Sequence, residues 1–379
     1  MTTYRQLQLG EPAPWFHQRN TSNPRYAFDT VAGRYIVLCF FATAEDAVGQ
    51  AALALVDAHH AMFDETRFAF FGVSNDPADE HSGRVVQRIP GVRHFWDFDG
   101  TVARLYGALP EGTDTRLTSV RRQWVVLDPA LQVVGIIHFR PDGTDRATLL
   151  GFLRSLPPVS HYGGVEMHAP VILQPHVFEP ALCAHLIRLY EADGGEESGF
   201  MRDEAGKTVG VYDHGHKSRQ DLVLGDTALC RQLQRRIFQK VVPTILRVHS
   251  FAVTRMERHL VGCYDSARGG HFRPHRDNTT LGTAHRRFAV SINLNADFEG
   301  GELVFPEYGP RRFKLPPGAA LVFSGALLHM VTPVTRGRRF AFLPFLYDEA
   351  AAALRERNSP HLAEGVGSTG PDGHLRSMR

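Results

Sequence analysis

Two hydrophobic patterns divide this chain of 379 residues, and they meet in a stretch at 157–170 that carries Pro, Gly and Ser. Upstream, apolar runs of strand length alternate with segments whose apolar residues recur at helical spacing. Arg34 to Phe41 (RYIVLCFF) and Phe68 to Val73 read as buried strands, with a third over Val92 to Trp96. Glu45 to Glu65 reads as a helix between the first two, and Val102 to Tyr106 and Thr144 to Leu156 as two more, with Thr144 as N-cap. Gln123 to Leu127 and Gln132 to Phe139, parted by Asp128-Pro129, read as a hairpin. Strands that are apolar on both faces need helices on both sides of their sheet, so this half is an α/β sandwich.

Downstream the pattern changes. Helices are predicted over Phe178 to Glu191 and Thr227 to Ile245, and strands then dominate: Phe251 to Tyr264, Arg287 to Leu294, Gly301 to Pro306, Ala319 to Phe323 and Arg339 to Leu346. Many short strands separated by Gly, Pro, Asn and Asp indicate a β-sandwich or barrel. The expected organisation is a first domain over 1–158, a linker over 159–169, a second domain over 170–350 and a tail over 351–379 that starts helix-like and ends rich in Gly and Ser.

Composition narrows the function classes. The formal net charge is +2, and the Arg pairs (Arg121-Arg122, Arg235-Arg236, Arg286-Arg287, Arg311-Arg312) are scattered, so no nucleic-acid stripe is expected. The N-terminal stretch lacks the apolar run of a signal peptide, and no window is apolar enough for a membrane helix, so no membrane association is expected. Cys39, Cys183, Cys230 and Cys263 form no Cys-x-x-Cys pair, and Cys39 lies in an apolar run. The expectation is a reduced, cytoplasmic protein.

The chemistry concentrates between Gly262 and Asp348. In HFRPHRDN, His275 and Asp277 are two apart, so on an extended segment an imidazole and a carboxylate point the same way. Pro274 disfavours a helix, and with it the rival pair His271 and His275. His329, in GALLHMVTPV on a distant strand, supplies a third ligand. Two His and one carboxylate form the facial triad of non-haem Fe(II) oxygenases, which leaves open positions on the ion. A 2-oxo acid chelating there needs a cation for its far carboxylate. A guanidinium grips carboxylate with two prongs, and Arg339, on the strand after His329, is the choice: Arg338 faces the other way on that strand and Arg336 lies in the Arg-Gly turn. His214 and His216 read as a surface or substrate-side loop, and Gly269-Gly270 as either a mobile lip or an ordinary turn.

The stretch from YDSARGGHFRPHRDN through RRFAVSINLN and GGELVFP to PPGAALVFSGALLHMVTPVTRGRRFAFLPFLYD resembles the prolyl 4-hydroxylase-like branch of the 2-oxoglutarate/Fe(II) dioxygenases. The resemblance implies a double-stranded β-helix, or jelly roll, with flanking helices. It places the metal ligands on His275, Asp277 and His329, the 2-oxoglutarate-binding Arg on Arg339, and further co-substrate contacts on Tyr264 and Asn293. It implies Fe(II), 2-oxoglutarate and O2, with ascorbate as reductant, and hydroxylation of a peptidyl residue, an amino acid or a small metabolite with release of succinate and CO2. Related halogenases carry a small residue at the position of Asp277, so the carboxylate there implies hydroxylation.

The first half resembles the thioredoxin-fold peroxiredoxins in GEPAPWF, YIVLCFF, FAFFGVSND, FWDFDGTVARLYGAL and RRQWVVLDP. Arg122 falls near that family's active-site arginine, but Asp46 and Gly49 stand near its threonine and cysteine. A peroxidase needs a thiolate there. The implication is a redox-inactive thioredoxin-like domain that forms a homodimer, binds a protein substrate or docks onto the dioxygenase. The rival reading of the whole chain is a thioredoxin-fold redox or protein-binding protein with an accessory jelly roll.

Overall fold

The structure is a computed structural model and describes residues 3–112 and 120–363. It divides into two compact units: residues up to His168 with Pro306–Pro310, and Ala169–Phe305 with the chain from Arg311 onward.

The first unit is built on a five-stranded sheet in the order Val92–Trp96, Phe68–Ser74, Tyr35–Ala42, Gln123–Leu127, Val133–His138. The first three strands are parallel and the last two antiparallel. Every residue of Tyr35–Ala42 and Phe68–Ser74 is buried. Tyr35, Val37, Cys39 and Phe41 share a core with Ala52, Val56, Leu149 and Leu153 of two helices. On the other side Phe71 and Phe95 stack, and Phe16 and Phe28 stack beside them. This is the α/β sandwich expected from the alternating pattern, in the thioredoxin-like form that the resemblance implied.

Helix ends depart from the sequence reading. The first long helix is Ala47–Ala58 only, opened by the Asp46 carboxylate accepting from the Gly49 N–H. The chain then passes through a short 3-10 turn and a left-handed Glu65 before the next strand. Asn75-Asp76-Pro77 both stops a strand and starts the short helix Pro77–His81, with Asp76 as N-cap and Pro at its first position. Thr144 is not an N-cap: it is the first helical residue, and Asp142 accepts from its N–H and its hydroxyl.

Burial also sets an acid-sensitivity. His94 is fully enclosed, and desolvation lowers its pKa from 6.5 to about 4. The unfolded chain therefore binds the extra proton first, and protonation of this histidine destabilises the fold as pH falls from 6.5 toward 4. Buried Asp97, whose pKa burial raises to about 6, works in the opposite sense below pH 6. Replacing His94 by Phe should flatten the fall in denaturation midpoint between pH 6.5 and 5. An unchanged pH slope would remove His94 as its cause.

In the second unit the large sheet runs Ile172–Gln174, Ala320–Ser324, Phe288–Asn293, then Arg338–Phe342 continued by Phe345–Tyr347, then Leu260–Asp265 with Arg255–Glu257, then Gln220–Val223 and Glu196–Glu197. The smaller sheet is Lys217–Ser218, His271–His275, His329–Val331, Leu303–Val304, Arg312–Phe313. One face of the large sheet (Val261, Cys263, Val290, Ile292, Phe340, Phe342) packs on the helices Pro180–Asp193, Thr227–Lys240 and Val242–His249. The alternate residues Tyr264, Ser291, Asn293, Arg339 and Ala341 take the opposite face, and all five are buried. Two antiparallel sheets with helices on one outer face make the jelly roll.

Two breaks divide elements read as continuous, and a third element is shortened. Pro243 ends one helix at Lys240 and opens another at Val242, because its ring cannot continue the hydrogen-bond ladder. Arg258, at φ 66°, splits Phe251 to Tyr264 into two strands, each pairing with a different segment of the chain 338–347. Gly301 to Pro306 keeps only Leu303–Val304 as strand. The segment expected to be a tail begins as the helix Glu349–Asn358, capped by Asp348 and burying Ala351; residues 364–379 lie outside the described residues.

Candidate metal centre

His275 ends its strand directly opposite His329, the two forming one register pair. Asp277 follows two residues on, its N–H donating to the Gly325 carbonyl at 2.8 Å. His275 Nε2 lies 3.7 Å from Asp277 Oδ1, and His329 Nε2 lies 3.4 Å from Asp277 Oδ2. One ligand atom from each residue falls within 4.8 Å of the other two. Facial ligands about 2.1 Å from an ion stand about 3 Å apart, so a small inward movement completes a three-ligand site.

Backbone carbonyls orient both imidazoles. His275 Nδ1 is 2.8 Å from the Arg273 oxygen, and His329 Nδ1 is 3.0 Å from the Leu327 oxygen. With Nδ1–H donating, each ring presents the Nε2 lone pair toward Asp277. Phe272 stacks on His275 at 3.5 Å and Phe323 meets His329 edge-on at 4.6 Å, which fixes the ring planes. Burial, then repulsion from His329, lowers the His275 pKa well below 6.5, so the ring is neutral, as a ligand must be. His271 takes no part: it contacts the Gly269 carbonyl at 2.7 Å. The preceding glycines form an ordinary turn, with Gly269 left-handed and Gly270 so close to Tyr264 and Asp265 that a Cβ would meet backbone at 2.6 Å.

Arg339 is 2% exposed and stands opposite Tyr264 in register. Its Nε donates to Asn293 Oδ1 at 3.0 Å and its Nη2 to Ser291 Oγ at 2.8 Å, while the guanidinium carbon is 5.2 Å from the Tyr264 ring centre. Its buried Nη1 has no hydrogen-bond partner. An unpaired guanidinium nitrogen is costly inside a protein, and a ligand carboxylate would satisfy it. Arg338 and Arg336 instead point outward to Glu191 and Glu299. Asn293 uses its oxygen on Arg339 and its amide N–H on the Leu315 carbonyl, so its visible role is to hold Arg339. Ser291 does the same job. It was not singled out from sequence, although it lies two residues before Asn293 and so shares its face.

A second polar group lines the interior beside Tyr264. Arg219 donates to Asp221 through Nε at 2.6 Å and Nη2 at 2.7 Å, and its Nη1 reaches the Tyr264 hydroxyl at 3.3 Å. Arg258 approaches the same Asp221 carboxylate at 3.4 Å. Lys217 is 6% exposed and donates to Ser198 Oγ at 2.7 Å and the Gly199 carbonyl at 2.5 Å. None of these residues carries a motif. His216, read as a loop residue, is half-buried between Phe200 and Phe272, and burial lowers its pKa to about 4.

In the first unit, the position of a peroxidatic thiolate is closed. Arg122 grips both Asp46 carboxylate oxygens, which holds the Asp46 pKa below its ordinary value. A Cβ on Gly49 would fall 1.9 Å from the Thr43 carbonyl oxygen. All four cysteines are free and buried, and burial pushes the Cys39 thiol well up. Gly49→Cys is therefore expected to lower the melting temperature by several degrees and to add no thiol-dependent peroxide consumption.

Family models match two separate parts of the chain. Residues 259–347 match the 2OG-Fe(II) oxygenase superfamily, and residues 9–136 match the AhpC/TSA family. A PKHD-type hydroxylase of Pseudomonas paraeruginosa is 30% identical over 171 residues, 41% of this chain and 74% of the relative. Among solved structures, a prolyl hydroxylase of Trichoplax adhaerens in complex with a peptide fragment is 18% identical, with TM-score 0.39, over 49% of this chain and 86% of that one. A peroxidoxin of Mycobacterium tuberculosis is 22% identical, with TM-score 0.34, over 40% of this chain and 99% of that one. No helix among the described residues is long and apolar enough to cross a membrane. The chain belongs to the 2OG-Fe(II) oxygenase superfamily: its C-terminal half is a 2-oxoglutarate-dependent hydroxylase domain that uses Fe(II), 2-oxoglutarate and O2.

Proposed function

We propose that the protein hydroxylates an unactivated C–H of an amino acid, a peptidyl residue or a small metabolite, with His275, Asp277 and His329 as iron ligands and Arg339 as the anchor of 2-oxoglutarate. The carrying observation is the pairing of a convergent His-Asp-His set with a buried arginine that has one nitrogen to spare. Fe(II), 2-oxoglutarate and O2, when bound, supply the chemistry that converts C–H to C–OH while 2-oxoglutarate loses CO2 and becomes succinate.

The chain's own residues bind and orient. The two imidazoles and Asp277 would hold the ion through three ligand atoms and leave room for the co-substrates. Arg339 would receive the far carboxylate of 2-oxoglutarate through its unpaired Nη1. Asn293 and Ser291 hold the guanidinium in place, and Tyr264 lies along it. The aromatic rings of Phe272, Phe305 and Phe323 exclude water from the imidazoles. The first domain, 1–158, acts as a protein-binding or dimerising element; its closed thiolate position supports a non-redox role.

Purified protein given Fe(II), ascorbate and O2 should convert 2-oxoglutarate to succinate slowly even without added substrate. Succinate that fails to appear from metal-loaded protein would falsify the assignment.

A further inference from the structure

Three basic groups of the jelly-roll interior converge on one carboxylate. Asp221 accepts from Arg219 at 2.6 and 2.7 Å and faces Arg258 at 3.4 Å. Ser198 joins Lys217 to the same carboxylate, accepting from Nζ at 2.7 Å and donating to Asp221 Oδ2 at 2.6 Å. Asp221 is thereby held far below the ordinary carboxylate range despite its burial, so it is ionised but carries a single charge. Arg219 takes both oxygens of that carboxylate. Arg258 is left with one long contact, and its side chain is 20% exposed. Lys217 is buried and donates only to the neutral Ser198 and Gly199 oxygens; burial, then Arg219, lowers its pKa well below the ordinary lysine range, and an anion bound beside it would stabilise its ammonium form.

Among the described residues, no acid other than Asp221 forms an ion pair with Arg258, and none does with Lys217. Glu257 is taken by His285 at 2.9 Å and Arg286 at 2.8 Å. Asp277 is committed to the metal set. Burial and the nearby cations Arg286 and Arg219 lower the Arg258 pKa to about 10, which still leaves it charged. Buried charge without a counter-charge is expensive, and proteins keep it where a ligand supplies the partner.

This excess charge lies beside the metal centre. Lys217 pairs with Phe272 across the small sheet, its Nζ 5.1 Å from the ring centre, and Phe272 stacks on His275. Arg258 lies over Phe345, whose other cationic neighbour is Arg286 at 4.1 Å. Arg219 donates to the Tyr264 hydroxyl at 3.3 Å and lies 5.7 Å from that ring's centre, while Arg339 lies 5.2 Å from the same centre. Lys217 and Arg258 share no hydrogen-bond partner with the Arg339 anchor, which is held by Asn293 and Ser291.

Resting on the proposed hydroxylase reading, we infer that the substrate is an anion and that Lys217 and Arg258 receive its carboxylate or phosphate beside the iron. Arg219 and Asp221 act as positioning residues that hold the two cations in place.

The test uses the full chain loaded with Mn(II), which binds such a site without turnover, and saturating 2-oxoglutarate. Matched probes are titrated calorimetrically: N-acetyl amino acids against their primary amides, and N-acetyl-O-phosphoserine amide against N-acetylserine amide. At least one anionic series should bind tenfold or more tighter than its neutral partner, and the preference should collapse toward one in Arg258→Gln and in Lys217→Met. Arg258→Lys should keep part of it. Anions that bind no tighter than the neutral probes, that bind only by displacing 2-oxoglutarate, or whose preference survives both substitutions would overturn the inference. Uncoupled succinate formation by the wild-type Fe(II) enzyme is measured on the same preparation. Its loss would count against the hydroxylase reading, whereas its presence with no anion preference counts against this inference alone.

Discussion

His275→Ala and Asp277→Ala should each abolish succinate formation, with a fall of about a hundredfold or more. The two substitutions remove different things. His275→Ala deletes a neutral ligand and opens a gap beside Phe272, whose ring now stacks on it at 3.5 Å. Asp277→Ala deletes the one negative charge in the set and leaves the two imidazoles to hold a dication without compensation. Metal content after dialysis should drop in both, while the far-ultraviolet circular dichroism stays that of the wild type, because neither side chain belongs to the hydrophobic core shared with the helices. Retained turnover in His275→Ala would remove it from the ligand set. Asp277→Glu is the sharper probe: it keeps the charge but lengthens the arm, so metal should remain while turnover falls.

The second large effect is expected at Arg339. Arg339→Met keeps most of the stem's volume and removes the guanidinium from a place where it is 2% exposed. Removing one partner of a buried charged pair costs about 2–5 kcal/mol, so the KM for 2-oxoglutarate should rise by roughly thirtyfold or more. Arg339→Lys should not rescue it. An ammonium could keep the charge, but it cannot reach Asn293 and Ser291 and still present a nitrogen to the ligand. Ser291→Ala should raise KM by about tenfold, the scale of one hydrogen bond to a charged group. An Arg339→Met enzyme whose KM for 2-oxoglutarate is unchanged would place the anchor elsewhere.

The metal set was readable from sequence because its geometry is mostly local. Two residues on an extended segment share a face, and Pro274 rules out the helix that would have favoured His271. Arg339 was readable because alternation on a strand separates it from Arg338, and the outward ion pair of Arg338 with Glu191 shows that separation. Element interiors followed from apolar runs such as YIVLCFF, where burial leaves little choice. Element ends did not. Asp142, Glu65 and Arg258 act through capping or a left-handed backbone, each decided by neighbours that the local pattern does not name.

Lys217, Arg219, Asp221 and Arg258 were invisible for a different reason. They sit on short strands or breaks with no spacing rule, and their relation exists only because Gln220–Val223 pairs with Leu260–Asp265 and Lys217–Ser218 pairs with His271–His275. Sequence alone pointed to the two fold classes, the three candidate iron ligands, the candidate co-substrate arginine and the lack of a cysteine near Gly49, because each depends on periodicity, on family resemblance or on which residue types are present. Tertiary structure decided which partners hold Arg339, why Gly49 cannot simply become a cysteine, and where charge is left unbalanced. Those depend on distances between residues far apart in the chain, which strand register sets and no local pattern encodes.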